Sequence, residues 1–198
     1  MAISRAAIIT GTSRGIGASF DRGGAARGRC AGGELVVDKG SGPGGVERRL
    51  RDLGIELPGP PSPFGSYVET LQTGNLLFLS GMLPVVDHKP KYVGRLGKEL
   101  DAESGRDAAR TAALSALAAA QKHLGSLDRI ARVVRLGVFI ATSGDFFDQP
   151  HVADAASDLF RDIFGSETMA VRSVVGVASL PLGMPIELEV IFEIEECC

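Results

Sequence analysis

The stretch Ala170–Ile194, AVRSVVGVASLPLGMPIELEVIFEI, decides how this 198-residue sequence is read. Val174, Val175 and Val177, and then Ile186, Leu188, Val190, Phe192 and Ile194, are mostly the β-branched and aromatic types that strands favour. Between the two runs Leu180-Pro181-Leu182-Gly183 breaks both periodicities, so the pattern predicts a β-hairpin. Successive strand residues point to opposite faces. Ile186, Leu188, Val190, Phe192 and Ile194 therefore share a wholly apolar face, and Glu187, Glu189, Ile191, Glu193 and Glu195 share the other. Folding the hairpin about Leu182 and Gly183 puts Arg172, Val174, Gly176 and Ala178 on the glutamate face. Solvated strand charges would account for the glutamates, but not for Val174 and Ile191 among them.

Outward from this stretch the chain supplies partners for the apolar face. A helix is expected over Pro150–Phe164, with Ala153, Ala156, Leu159, Phe160 and Ile163 on one side and His151 in its first turn. Ala131–Thr142, with VVRLGVFI at its centre, reads as a central strand. Residues 103–124 give the strongest helix, an alanine face from Ala108 to Ala120 closed by Gly125; His123 near its end suits the helix dipole. Tyr67–Gln72 and Leu76–Ser80 form a hairpin about Thr73-Gly74-Asn75, with Gly81 ending the second strand. Residues 82–102, which include His88, read as loop or irregular edge strand. A short helix from Val46 to Gly54 and a proline-rich linker, Leu57–Pro63, precede the hairpin. The order helix, β-β, helix, β, helix, β-β implies an α+β domain over residues 46–198: one sheet with two main helices on one face. The other face has no cover within the chain, and a second subunit is its natural cover.

Composition narrows the function. The sequence has no apolar run of about 20 residues and no secretory signal, so the expectation is a soluble cytoplasmic protein without a membrane partner. Cys30, Cys197 and Cys198 are too few and too badly placed for a disulfide framework or a zinc site. The net charge is −3, but residues 1–45 carry +3, leaving −6 on the rest, which argues against a nucleic-acid partner. Residues 1–45 also hold twelve of the 26 glycines and read as a disordered or poorly packed leader. Within them Thr10-Gly11-Thr12-Ser13-Arg14-Gly15-Ile16-Gly17 resembles the opening of a short-chain dehydrogenase, where glycines let backbone approach a pyrophosphate. The helix that should follow is replaced by DRGGAARGRCAGG, and neither Tyr67 nor Tyr92 is followed four residues later by lysine. A nucleotide site is not expected there.

Four separated motifs in the folded part occur together in order: Gly65-Ser66-Tyr67; Leu79-Ser80-Gly81 with Pro84; Arg172-Ser173-x-Val175-x-Val177-Ala178-x-Leu180-Pro181; and Ile186-Glu187-x-Glu189. In this combination, spanning about Ser62 to Glu193, the chain resembles the Rid family of imine deaminases, also called YjgF proteins or L-PSP endoribonucleases. The extra helix of Val46–Gly54 looks like a longer branch. The resemblance implies a chorismate-mutase-like fold in a homotrimer, with three sheets closing a central barrel and sites between subunits. It implies hydrolysis of 2-imino or enamine acids, such as 2-aminoacrylate and 2-iminobutanoate, to 2-keto acids and ammonia without metal or cofactor. It assigns the substrate carboxylate to Arg172 and the rest of the pocket to Tyr67, Ser80 and Glu187, with the Gly81 N–H as a further donor. The chain departs from the pattern at Ser157, where several deaminases have asparagine, and at Val174, often cysteine.

Residue chemistry agrees with that assignment. An arginine fork holds a carboxylate bidentately, and an imine carbon is already electrophilic, so position and modest acid-base help from Glu187 suffice. In the expected hairpin ladder Arg172 falls opposite a residue near Glu193, roughly 20 Å from Glu187 at 3.3 Å per residue. The two then serve one site only if they come from different chains. A trimer that binds small carboxylates without turnover is the alternative, followed by RNA cleavage, which the acidic body and the lack of a base-stacking aromatic series disfavour.

Overall fold

The structure is a computed structural model that describes residues 45–195. Apart from Gly45, the leader of residues 1–45 with its dehydrogenase-like opening lies outside the described residues, as do Cys197 and Cys198. Helix α1 (Val46–Asp52) is followed by strands β1 (Thr70–Thr73) and β2 (Leu76–Leu79) and the short pair β3 (Val85–Val86) and β4 (Lys89–Pro90). Helix α2 (Ala102–Leu124), strand β5 (Ile130–Ala141), helix α3 (Gln149–Phe164) and strands β6 (Val171–Val177) and β7 (Ile186–Ile194) complete the chain. Five strands make one sheet in the order β1-β2-β7-β5-β6. Its neighbours are antiparallel except for β5 and β6, which run parallel, so the sheet is mixed.

β7 lies in the middle of the sheet and follows its sequence parity. Ile186, Leu188, Val190, Phe192 and Ile194 are all buried. They form one core with the alanines of α2 and with Ala153, Ala156, Leu159 and Ile163 of α3. Phe192 sits between Phe160 and Phe164 with ring centroids 6.1 Å from each, the contact with Phe160 being edge to face. Both large helices thus cover one side of the sheet. Asp101 caps α2 by accepting from the Ser104 N–H at 2.8 Å, and Gly125 closes it in the left-handed region with its N–H on Gln121 O. Short α1 joins the same core through Leu50, while Arg49 Nη1 donates to Ile163 O at 2.9 Å near the end of α3.

The hairpin expected of β6 and β7 does not form. β5 lies between them, paired in parallel with β6 and antiparallel with β7. The connection, residues 178–185, is too long to enforce a tight turn, and its 3-10 turn at Pro181–Gly183 carries the chain across the end of β5. This changes the face on which Arg172 stands. Arg172 lies beside Leu136, which lies beside Val190, and both neighbours are buried under the helices. Arg172 and Val174 are therefore on the helix side, not with the glutamates. On the open side Val175 aligns with Phe139 and Glu187, and Ser173 with Gly137 and Glu189. The expectation of an uncovered face stands for Ile191 but not for Val174, which packs against the core.

Close packing under α2 sets a test. A Cβ added to Gly105 would lie 2.5 Å from Leu96 Cδ1 and 3.2 Å from Val152 Cγ1, and both neighbours are fully buried. Glycine to alanine within a helix normally gains about 1 kcal/mol. Here the overlap outweighs that gain, so Gly105→Ala is expected to destabilise the fold by about 1–2 kcal/mol. Urea unfolding checks it, and a variant as stable as the parent would mean that Leu96 yields freely.

Candidate functional site

Tyr67, Ser80 and Gly81 meet at one shallow hollow, open to solvent and also lined by Phe64, Glu69 and Met82. The hairpin β1–β2 brings them together, because Tyr67 precedes its first strand and Ser80 follows its second. The Ser80 N–H donates to Glu69 O at 2.9 Å, and Ser80 Oγ donates to Val68 O at 2.6 Å. That hydroxyl proton is committed to the backbone, so Ser80 faces the hollow as an acceptor. Tyr67 has the opposite polarity. Its hydroxyl oxygen accepts from the Phe64 N–H at 3.0 Å, which leaves the phenolic proton to donate.

Glu187 joins this group through the strand next door. Met82 and Leu188 exchange backbone hydrogen bonds of 2.7 and 2.9 Å, which pin the segment after β2 against the start of β7. A Cβ on Gly81 would overlap Glu187 Oε1 and lie 2.7 Å from its Cδ. Only glycine lets the carboxylate rest against the backbone there. Burial raises the Glu187 carboxyl above its usual pKa, and the neighbouring Glu189 charge adds to the rise. Among the described residues no hydrogen bond or ion pair reaches that carboxylate. Glu69, in the wall of the hollow, is also raised by desolvation, against the opposing pull of Lys122 and His88.

Arg172 belongs to a second, separate cluster on edge strand β6. Its Nη1 donates to Asp154 Oδ1 at 2.7 Å and to Ser157 Oγ at 2.9 Å, both on α3. Arg172 aligns with Leu136 of β5, and Glu187 with Phe139, three residues further along. Two strand spacings and three residue rises separate their backbones by about 14 Å, on opposite faces of the sheet. The structure thus brings Tyr67, Ser80, Gly81 and Glu187 together and leaves Arg172 apart, joined to Ser157. Arg172 and Glu187 are apart, but by about 14 Å across the sheet and on opposite faces, not by roughly 20 Å along one face of a hairpin as the sequence suggested. Among the described residues no group of three His, Cys, Asp or Glu side chains is placed to hold a metal ion, and no helix is long and apolar enough to cross a membrane.

Two residues of these clusters escaped sequence reasoning. Glu69 had a usable signal, since in a two-residue hairpin it pairs with Ser80. Asp154 lies three residues before Ser157 on one helix face, but nothing in sequence places that face beside β6.

The Glu187 environment makes a prediction about stability. The folded protein binds this proton more tightly than the unfolded chain does. Its contribution is therefore fully present below the ordinary carboxylate range and is lost as pH rises through the folded value. Glu187→Gln removes the charge, so it is expected to raise Tm at neutral pH and to leave Tm unchanged in acid. A lower Tm at neutral pH in thermal melts would contradict the burial account.

The comparisons agree with the fold. The sequence profile of the family described as "YjgF/chorismate_mutase-like, putative endoribonuclease" matches residues 47–193. Protein TCP17 of Trypanosoma cruzi is 41% identical over 152 residues, which cover 76% of this chain and 95% of that protein. The 2-iminobutanoate/2-iminopropanoate deaminase of Dermatophagoides farinae is 30% identical over 142 residues, 71% of this chain and 95% of its own. The crystal structure of Atu1372 from Agrobacterium tumefaciens, a protein of unknown function, superposes with a TM-score of 0.70 at 36% identity, covering 76% of this chain and 92% of that one. With a profile match over most of its length, and with relatives this similar nearly end to end, the chain belongs to the YjgF/chorismate-mutase-like family, the Rid family that its four motifs resemble.

Proposed function

We propose that this protein hydrolyses 2-imino and enamine acids, of the 2-aminoacrylate and 2-iminobutanoate type, to 2-keto acids and ammonia. The observation that carries the reading is the division of its polar residues into two half-sites. One offers a donor in Tyr67, an acceptor in Ser80 and a partly buried carboxylate in Glu187; the other offers the Arg172 guanidinium. A small 2-imino acid has both complements: a carboxylate for the arginine and a reactive C=N for the other group. The two half-sites are about 14 Å apart on opposite faces of one chain, so a complete site requires a second subunit, and the homotrimer that the family resemblance implies would supply it. Val171 and Val175, 70% and 45% exposed on the open side of β6, supply apolar surface for that contact.

The chemistry follows from these groups. The Arg172 fork holds the carboxylate and fixes the imine carbon over the hollow of a neighbouring subunit. Water adds to that carbon, and Glu187 takes the proton it releases. Glu187 returns that proton to the nitrogen of the resulting carbinolamine, and as the C–N bond breaks the hydroxyl proton passes in turn to Glu187, which leaves ammonia and the carbonyl of the 2-keto acid. A carboxyl raised by burial is suited to both taking and returning a proton. The Tyr67 hydroxyl and the Gly81 N–H donate to the polar atoms of the intermediate, and Ser80 accepts. Glu69 in the wall of the hollow, and Glu187 against the adjoining Gly81 backbone, disfavour phosphate, which supports this reaction over RNA cleavage.

Ammonia release from freshly generated 2-aminoacrylate tests the reading. Arg172→Ala is expected to lower kcat/KM by about 100-fold, the loss of a charged bidentate contact. Binding of 2-keto acids without ammonia release on any imino acid would replace the enzyme with a carboxylate-binding protein. The intersubunit site has its own check in mixed oligomers. Arg172→Ala and Glu187→Gln chains, each impaired alone, are expected to recover about a quarter of parental activity when co-assembled at random. No recovery, or a fully active monomer in sedimentation, would place the site within one chain.

A further inference from the structure

We infer that Asp154 is a positioning residue of the deaminase site, acting through Arg172; this rests on the function proposed above. Arg172 Nη1 carries two hydrogens, and the two acceptors 2.7 and 2.9 Å away, Asp154 Oδ1 and Ser157 Oγ, use both. Asp154 and Ser157 are one turn apart on α3, so a single helix face grips a single nitrogen. Three guanidinium donors remain, one on Nε and two on Nη2. The Nε hydrogen and one of the two on Nη2 form the side-on edge of the fork, which matches a carboxylate in two parallel hydrogen bonds. The end-on pair, Nη1 with Nη2, is closed to ligand because Nη1 is engaged.

The arrangement holds a flexible side chain at a sheet edge. Arg172 comes from an edge strand, with no further strand beside it to hold its long stem, and its side chain is 27% exposed. Tethering Nη1 to a helix that is itself packed on the sheet restricts the guanidinium and leaves its Nε–Nη2 edge unengaged among the described residues. An arginine ordered before the substrate arrives loses less entropy on binding it. Asp154 also balances the guanidinium charge, so the site selects a planar carboxylate by geometry more than by net attraction of anions. Asparagine at this position keeps the acceptor oxygen and loses only the charge, which separates the two roles.

The test uses the full chain with Asp154→Ala, Asp154→Asn, Ser157→Ala and Arg172→Ala variants. Two measurements are made: ammonia release from 2-aminoacrylate, and the Arg172 Nε–H signal by nitrogen-15 NMR during titration with 2-oxobutanoate. Asp154→Ala is expected to raise KM about tenfold with kcat falling less than twofold, a loss of orientation without loss of the reacting groups. Asp154→Asn should restore KM to near the parental value. In the parent the Nε–H signal should shift as 2-oxobutanoate binds, and in Asp154→Ala this should require about tenfold more ligand. If the parent releases no ammonia but shows that shift and its dependence on Asp154, deamination fails and the positioning role stands. The inference is overturned by an unchanged KM and titration in Asp154→Ala, or by no Nε–H shift in the parent. It is overturned equally by tighter binding in both Asp154 variants, which would make Asp154 a competitor of the ligand, or by an asparagine variant as impaired as the alanine one.

Discussion

The apolar underside of β7 is the constraint on which the rest of the structure depends. Five alternate residues from Ile186 to Ile194 are buried, and both edges of the strand are paired, with β2 on one side and β5 on the other. Each half of the sheet reaches the other only through this strand. The helices answer to the same constraint, since the small side chains along α2 and the aromatic end of α3 fit over the surface that β7 presents. An uncharged underside beneath two helices leaves the opposite side of the same strand for the glutamates. One alternation therefore builds the core and supplies the carboxylates.

Most of this was legible in the sequence. The elements announce themselves through periodicity and turn chemistry: alanine spacing for α2, the apolar stripe of α3, the Gly74-Asn75 break between β1 and β2, and the strict alternation of β7. What could not be read was which strand lies beside which. A prolyl-glycyl loop between two strands suggests pairing, but the eight residues 178–185 allow β5 to enter between β6 and β7. The face of Arg172 followed from that mistaken pairing, because parity fixes alternation within a strand and only a neighbour fixes which side is which. Leu136 is that neighbour, and it lies far away in sequence.

The candidate site was legible to different degrees for the same reason. Tyr67, Ser80 and Gly81 sit around a local hairpin, so short-range reasoning places them together. Glu187 reaches them through a strand more than a hundred residues later, and its contact with the Gly81 backbone depends on the absence of a side chain there. Asp154 carries no distinguishing pattern of its own, and Glu69 only the one that its hairpin pairing with Ser80 gives it. They become visible only when the partner of each, Arg172 and Ser80, has been put in its strand.

The strand order also bears on how the protein is made. β1 and β2 are a local hairpin, and β5, α3 and β6 form a continuous crossover unit whose two strands pair with each other. These two parts occupy opposite sides of the sheet, and the strand that joins them, β7, is synthesised after both. Until residues 186–194 leave the ribosome, the nascent chain holds two partial sheets with exposed edges and the helices have only part of the surface they cover. Completion of the core is thus a late, long-range event, and the growing chain relies on whatever shields those edges in the meantime.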